Sequence, residues 1–269
     1  VHPFCTSMSA SDVRLTTRYG TEEFTQSLFG IIHETGHGLY EQGLPDAGGM
    51  PVGGAISLGI HESQSRMWEN LVGRSREFWV HYLPLLAEQF PEQLQGVEVD
   101  RVYAGVNQVE ASLIRVEADE VTYNLHILLR FELEKALIEG DLAVKDLPGE
   151  WNDSMEKYIG IRPPNDADGV LQDIHWPVGL IGYFATYSLG NLYASQFYRQ
   201  AVTDLGNLPE QIAGGDLSGL LAWLRQNIHS VGQRRTAAEL VQDVTGEPLN
   251  VDYLMDYLES KFKPLYGLS

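Results

Sequence analysis

IIHETGHG, residues 31–38, places two histidines four positions apart inside a run with helical periodicity. Residues four apart lie on one face of a helix, so His33 and His37 present two imidazoles to one point, at the spacing that zinc requires. Glu34 lies beside His33 and can reach a water at that point without taking a coordination position, so it is the candidate general base. The motif is short, however, and also arises by chance.

The surrounding sequence predicts the helix that this motif needs. Thr21 is a candidate N-terminal cap, two glutamates follow it, and apolar residues recur at helical spacing until Gly43 ends the run. Three residues inside the run are glycines: Gly30, Gly36 and Gly38. Each costs up to about 1 kcal/mol relative to alanine in a helix interior. We therefore expect a metal, a strand or a substrate to pack closely against this helix.

A candidate third ligand lies further along the chain. HESQSR, residues 61–66, opens a second amphipathic run and contains Glu62. A carboxylate from a second helix completes a site with two histidines and leaves the fourth position open to water. The segment 44–57 between the runs is rich in glycine and proline but lacks the spacing and the lysine of a phosphate loop, so we interpret it as a cleft wall. Together, the two motifs favour a catalytic zinc site over chance.

Length, charge and cysteine content limit the class of protein. With 269 residues, the chain is long enough for one large helical domain or two poorly separated ones, and we favour a single catalytic domain over 1–269. The net charge of −19 argues against a nucleic-acid partner or an anionic membrane. A single cysteine, Cys5, excludes an intrachain disulfide and predicts a cytoplasmic location. We see no signal peptide, and the start at Val1 suggests a fragment or a processed chain.

Residues 12–19 alternate between apolar and polar side chains and predict a strand just before the histidine helix. Such a strand could offer its edge to an extended peptide, or it could be a structural hairpin. Asp12 and Arg14 on this strand are candidate substrate-binding residues.

Two further helical runs are predicted, over 58–90 with an interruption near Pro84 and over 107–139. In the second run, Arg115 and Asp119 are four apart and would form a surface pair worth a few tenths of a kcal/mol. A guanidinium facing a cleft would instead bind a carboxylate as a fork. Spacing alone favours the surface pair.

An irregular segment rich in proline and glycine precedes a predicted aromatic helix over 180–205. His175 in this segment could donate a hydrogen bond to an oxyanion with Asp173 as its orienting partner, or it could be a loop histidine satisfied by backbone groups. Most aromatic residues of the helix belong to the core. Tyr183 and Tyr187 are the two that we predict as phenol donors.

Six stretches, taken together and in order, resemble the carboxypeptidase Taq family of metallocarboxypeptidases. They are HPF at 2–4, DVRLT at 12–16, HETGH at 33–37, HESQ at 61–64, IRVEAD at 114–119 and GVLQDIHW at 169–176. The resemblance implies a mainly α, zincin-like fold with a small β element near the active site, often dimeric. It also implies removal of C-terminal residues from peptides with broad specificity, except next to proline. Zinc is the expected metal, with cobalt as a possible substitute.

Carried over by position, the resemblance makes three residues the metal ligands: His33, His37 and Glu62. It assigns the general base to Glu34. It also changes Arg115 from a surface-pair residue to a candidate binder of the substrate's terminal carboxylate, with Arg162 as a second candidate. Members of the family are longer than this chain, so the resemblance implies that the family's helical N-terminal half is absent here.

The predicted reaction is hydrolysis of a peptide bond, with peptides as the substrates and a homodimer as the expected assembly. Glu34 would take a proton from water and pass it to the leaving amine, while His175 and a tyrosine would stabilise the oxyanion. Two alternatives remain open. One is an endo-acting oligopeptidase with the same zinc chemistry, and the other is a non-catalytic peptide-binding fragment.

Overall fold

The computed structural model describes residues 3–9, 11–20 and 22–268, and it is mainly helical with one two-stranded antiparallel sheet. This confirms the predicted fold class. The strands are β1 Cys5–Ser9 and β2 Asp12–Leu15. The α-helices are α1 Thr25–Gly43, α2 Leu58–Arg66, α3 Arg76–Gln89, α4 Val99–Val106, α5 Tyr123–Glu139, α6 Leu147–Ile159, α7 Ala185–Leu205, α8 Leu208–Ala213, α9 Ser218–Asn227, α10 Ala237–Thr245 and α11 Asp252–Tyr266.

The chain forms two compact units. The first contains the described residues up to Val106 and those from Leu189 onward, and the second is Asn107–Ser188. One cluster of buried side chains forms the core of the first unit, including Tyr40, Ile60, Met67, Trp79 and Phe197. A single catalytic domain over the whole chain stays a prediction.

The β-hairpin packs against the histidine helix. β1 pairs with β2 in antiparallel register, with Cys5 opposite Leu15 and an irregularity between Ser7 and Ser9. β2 is therefore shorter than the predicted strand over 12–19, and it is preceded by a second strand, β1. A Cβ atom at Gly38 would lie 3.4–3.5 Å from the side chains of Leu15 and Val13, so β2 contacts this face of α1.

The backbones of α1 and α2 cross at Gly36. A Cβ atom at this position would lie 2.6 Å from the Cα atom of Ser65, a distance that real Cβ contacts do not reach. An element does pack closely against the histidine helix, but at Gly36 it is helix α2 rather than the expected metal, strand or substrate. Thr21, the predicted cap, lies outside the described residues, and α1 begins at Thr25.

The predicted helical run over 58–90 is broken at a different place from the one expected. α2 is capped by Ser57, whose Oγ accepts a hydrogen bond from Ile60 N at 3.2 Å, and it is followed by a π-helical segment, Met67–Gly73. α3 then starts afresh with Ser75 as its cap. Pro84 lies inside α3 without ending it, so the predicted interruption near Pro84 is wrong. π-Helical segments are rare and occur frequently at functional sites.

The second unit contains α5 and α6, which pack through Leu129, Leu133, Trp151 and Met155. The predicted helix over 107–139 is wrong in its first half, because only a single 3-10 turn, Arg115–Glu117, forms before α5 begins at Tyr123. Asp119 does not pair with Arg115. Its carboxylate instead accepts hydrogen bonds from the backbone N–H groups of Val121 and Thr122 at 2.8 and 2.9 Å, just before α5 begins.

Candidate metal centre

Three side chains from two crossing helices converge in the first unit. His33 and His37 of α1 and Glu62 of α2 place one ligand atom each within 4.8 Å of the others. Oε2 of Glu62 lies 3.9 Å from Nε2 of His33 and 3.5 Å from Nε2 of His37. Ligand atoms about 2.0–2.1 Å from a tetrahedral ion lie about 3.4 Å from one another. The donor set and its spacing therefore fit a divalent metal ion.

The carboxylate of Glu62 is held in place from two sides. Its Oε1 accepts a hydrogen bond from Nε of Arg66 at 2.8 Å, which leaves Oε2 directed to the histidines. Gly190 of α7 lies against the same side chain, and a Cβ atom there would be 2.6 Å from Cβ of Glu62. Because Gly190 carries no side chain, α7 can approach Glu62 closely and restrict its position.

His33 is oriented by a second carboxylate. Its Nδ1 lies 2.8 Å from Oε2 of Glu69, which is itself within 3.2 Å of Arg74 and 3.5 Å of Arg66. Burial alone would raise the pKa of Glu69, but the hydrogen bond with His33 and the charges of the two arginines hold it well below its usual value. A carboxylate that accepts the Nδ1 proton leaves the Nε2 lone pair of the imidazole free for a metal.

His37 has a different partner on its far side. Its Nδ1 lies 2.6 Å from Nδ1 of His61, and Nε2 of His61 lies 2.8 Å from Oε1 of Glu41. His33 and His37 are thus each contacted at Nδ1 by a side chain, a carboxylate for His33 and a second imidazole for His37.

Glu34 is 4% exposed and neighbours the ligand side chains. Burial raises its pKa; the charge of His33 opposes this rise, and the carboxylates of Glu62 and Glu69 add to it. A buried carboxyl group with a raised pKa is suited to accept and return a proton near neutral pH. The expected general base therefore has a suitable environment.

Comparison with known proteins identifies the family. The model of the family described as Carboxypeptidase Taq (M32) metallopeptidase matches residues 1–262. The chain belongs to this M32 family. It is 51% identical to Thermostable carboxypeptidase 1 of Thermus thermophilus over 99% of the chain and 52% of that relative, and 43% identical to Carboxypeptidase 1 of Bacillus subtilis over 100% of the chain and 54% of that relative.

Its structure superimposes on the crystal structure of the M32 carboxypeptidase from Deinococcus radiodurans with a TM-score of 0.97 and 47% identity, covering 99% of this chain and 54% of that one. The chain thus spans about half the length of the M32 relatives that it matches. The family is that of the sequence resemblance, which is confirmed.

In the second unit, Arg115 is buried, at 4% exposure, rather than lying on the surface. Its Nε and Nη2 donate to Oδ1 of Asp173 at 3.1 and 2.8 Å, and its Nη1 donates to the hydroxyl of Tyr123 at 3.1 Å. The surface pair that spacing favoured is wrong, because residues 107–122 do not continue the helix on which that pair depended. A role for Arg115 in binding a substrate carboxylate stays a prediction.

Asp173 lies between two buried guanidinium groups. Its Oδ2 accepts from Nε of Arg130 at 2.6 Å, and the neighbouring Gln172 Oε1 accepts from the backbone N–H of Arg115 and from Nη2 of Arg130. Burial alone would raise the pKa of Asp173, but the charges of Arg130 and Arg115 lower it to about 2. Sequence reasoning missed Arg130. The available signal was an arginine inside a largely apolar helical run, one helical turn from His126 and Leu133, which are buried with it on α5.

His175 and the two predicted tyrosines cluster in the second unit. Nε2 of His175 lies 3.0 Å from the hydroxyl of Tyr187, and the ring of Tyr183 is centred 5.3 Å away. Nδ1 of His175 is 3.7 Å from Oδ1 of Asp173, so the expected orienting partner is adjacent. Tyr183 precedes α7, which begins later than predicted. An oxyanion role for His175, Tyr183 or Tyr187 stays a prediction.

The other predicted substrate-binding residues lie in surface ion pairs. Arg14 contacts Asp12 on β2 at 2.7 Å, and Arg162 contacts Asp153 and Glu156 at 2.7 and 2.9 Å. Exposed pairs of this kind contribute little to stability. Their proposed contact with substrate stays a prediction.

Several residues around the metal centre were not singled out from the sequence: Glu41, His61, Arg66 and Glu69. A signal was available for two of them. Glu69 lies seven residues after Glu62, about two helical turns, and His61 directly precedes Glu62. Their partners were not readable from this spacing, since each contacts a histidine of α1.

Among the helices that the structure describes, none has the length and apolar character needed to cross a bilayer. The cytoplasmic location and the homodimer stay predictions.

Proposed function

We propose that this chain is a metal-dependent carboxypeptidase that releases C-terminal residues from peptides. The observation that carries the proposal is the convergence of His33, His37 and Glu62 beside the buried Glu34 in an M32 chain. Two imidazoles and one carboxylate are the ligand set of catalytic zinc sites that keep one position for water. We therefore propose zinc as the metal, with cobalt as a working substitute.

A divalent ion held by these three residues would supply a Lewis acid that acidifies a water molecule and polarises the scissile carbonyl. Glu34 accepts the proton of the attacking water and later returns it to the departing amine. Glu69 fixes the tautomer and orientation of His33 through the contact at Nδ1, while Arg66 fixes the orientation of Glu62. Burial of Glu34 keeps bulk water from competing for its proton.

Two further assignments from the sequence are part of the proposal. His175, with Tyr183 or Tyr187, would stabilise the negative charge that develops on the carbonyl oxygen. Arg115 or Arg162 would bind the terminal carboxylate of the substrate, so that only the last peptide bond is cleaved. Broad specificity, except next to proline, is proposed from the family resemblance.

The test of the general base is Glu34→Gln. Loss of the proton acceptor should lower kcat by about 100-fold or more while zinc content stays at the wild-type level. The measurements are hydrolysis of an unblocked peptide and metal analysis of the purified protein. Glu22→Gln, at an exposed position, is the matched control and should cleave normally. Normal cleavage by Glu34→Gln would show that the assigned role is wrong.

Substrates with different C-termini separate the proposal from its alternatives. An exopeptidase that needs the terminal carboxylate should release amino acids from the unblocked peptide and fail on the C-terminally amidated one. Internal cleavage of both peptides would favour the endo-acting alternative. Peptide binding by zinc-loaded protein without any cleavage would favour the non-catalytic alternative.

A further inference from the structure

A chain of three side chains leads away from the metal centre behind His37. Nδ1 of His37 and Nδ1 of His61 are 2.6 Å apart, and Nε2 of His61 is 2.8 Å from Oε1 of Glu41. His33, by contrast, meets its carboxylate directly at Glu69. The two ligand histidines are therefore supported in different ways.

The positions of the protons in this chain follow from the role of His37. When His37 binds a cation through Nε2, its remaining proton is on Nδ1, because a neutral imidazole carries one N–H group. That N–H can only donate, so Nδ1 of His61 must be the acceptor and Nε2 of His61 must carry the proton. The Nε2–H of His61 then donates to the carboxylate of Glu41. With His37 bound to a cation through Nε2, this arrangement of protons satisfies both side-chain contacts of the chain.

We propose that His61 and Glu41 are positioning residues that hold His37 in its metal-binding tautomer and orientation. The proposal rests on the proposed metal centre but not on peptide cleavage. His61 acts as a neutral spacer that transmits the acceptor strength of the Glu41 carboxylate to His37. Hydrogen bonds to an ionised acceptor are about twice as strong as neutral ones, so the charge at Glu41 strengthens the chain.

Both proposed residues are held by their surroundings. The ring of His61 is centred 4.6 Å from that of His37 and 5.1 Å from that of Tyr40, which limits its rotation. Glu41 has a side-chain hydrogen bond with Ser7 of β1 in addition to the one from His61. The β-hairpin thus helps to fix the far end of the chain. A ring packed between aromatic neighbours and a carboxylate with two partners form a preorganised support for His37.

Zinc affinity of three variants tests the proposal. His61→Phe keeps a packed ring but removes the acceptor for His37, and loss of such a partner weakens metal binding by about 10–100-fold. His61→Asn places an amide oxygen near the former Nδ1 and should recover most of that loss. Glu41→Gln keeps an acceptor without charge and should lose less affinity than His61→Phe. Competition with a chelator of known affinity measures all three dissociation constants in the absence of peptide.

Matched controls are available in the first unit. His81→Asn makes the same change at a histidine of α3 that contacts the ring of Tyr82 edge-on, and Glu88→Gln removes one negative charge from an exposed position of α3. Both should bind zinc like the wild type. Circular dichroism of each metal-free variant checks that it is folded, and His61→Asn keeps the test decisive if His61→Phe does not fold.

Nitrogen-15 NMR of the zinc-loaded protein gives a second readout that a purely structural role would not move. We expect His61 as the neutral tautomer protonated on Nε2, with an unprotonated Nδ1 that does not bind metal. Metal coordination by His61, the opposite tautomer, equal zinc affinity of His61→Phe and wild type, or failure of His61→Asn to recover affinity would each overturn the proposal.

The outcome for the proposed function is separate. Zinc affinities in the expected order, without peptide cleavage by the wild type, would support His61 and Glu41 as positioning residues and refute the carboxypeptidase. A wild-type chain that binds no zinc would overturn both.

Discussion

Gly36→Ala tests whether the close crossing of α1 and α2 sets the geometry of the metal centre. A Cβ atom at this position would lie 2.6 Å from Cα of Ser65 and 2.7 Å from the carbonyl oxygen of Gln64, whereas ordinary contact begins at 3.4 Å. The helices must therefore separate by about 0.8 Å, the difference between 3.4 and 2.6 Å. Backbone atoms make both contacts, so no side-chain rotation relieves them. Glu62 belongs to α2 and moves with it.

The expected changes in stability and metal binding differ in size. Overpacking costs about 1–3 kcal/mol, and the gain in helix propensity from glycine to alanine offsets up to about 1 kcal/mol. The net loss is about 0–3 kcal/mol, or up to about 12 °C in Tm. Metal sites require their ligands within about 0.5 Å of the productive position, so we expect zinc affinity to fall about tenfold or more.

Gly38→Ala is the control, since it lies on the same helix and makes the same change. Its Cβ atom would meet the side chains of Leu15 and Val13 at ordinary contact distances, 3.4 and 3.5 Å. This variant should bind zinc like the wild type and be more stable by up to about 1 kcal/mol. Thermal unfolding and chelator competition measure both quantities. Equal zinc affinity of the two variants would refute the reasoning.

Three further predictions concern other parts of the structure. Removal of metal by a chelator should lower the Tm of the first unit by about 5–10 °C, because ligand at 100 times its Kd stabilises by about 2.7 kcal/mol; scanning calorimetry measures this. Gly190→Ala should weaken zinc binding in a chelator titration, because its Cβ would meet Cβ of Glu62 at 2.6 Å. Asp173→Asn should lose about 2 kcal/mol of stability near neutral pH, measured by denaturant unfolding, because the pKa of Asp173 is lowered from 3.8 to about 2.

The pH dependence gives the Asp173→Asn variant a specific signature. A carboxyl group with a lowered pKa stabilises the folded state fully above the unfolded pKa of 3.8, and this contribution is lost as the pH falls towards about 2. The stability difference between wild type and variant should therefore shrink between about pH 5 and pH 2. Exposed Asp141→Asn is the control. A difference that stays constant over this range would contradict the assignment for Asp173. A Tm unaffected by the chelator would contradict the prediction for metal removal.

Much of the metal centre could be read from the sequence because its pattern is local. The spacing of His33 and His37 requires only a helix, and Glu62 stands in a second amphipathic run whose helical character is also local. The glycines predicted close packing, but their spacing did not identify the partner. At Gly36 the partner is the backbone of α2, and at Gly38 it is β2.

The environment of Arg115 shows where local pattern fails. Residues 107–122 contain neither proline nor glycine and keep a helical spacing of apolar residues, so the sequence predicts a continuous helix. In the structure this segment is mostly irregular, and Arg115 binds Asp173, 58 residues away. A buried guanidinium needs a charged partner, and the interaction outweighs the small helix propensity of the segment.

The side chains that contact Nδ1 of His33 and His37 also could not be read from the sequence, because they are distant from these histidines along the chain. Glu69 lies 36 residues from His33, and His61 lies 24 residues from His37. Helical periodicity specifies which residues of one helix share a face, but it carries no information on which face of another helix they meet. The sequence thus determined the candidate metal ligands and the helices that carry them. The crossing at Gly36 and the contacts between α1, α2 and the following π-helical segment determined which side chains hold those ligands in place.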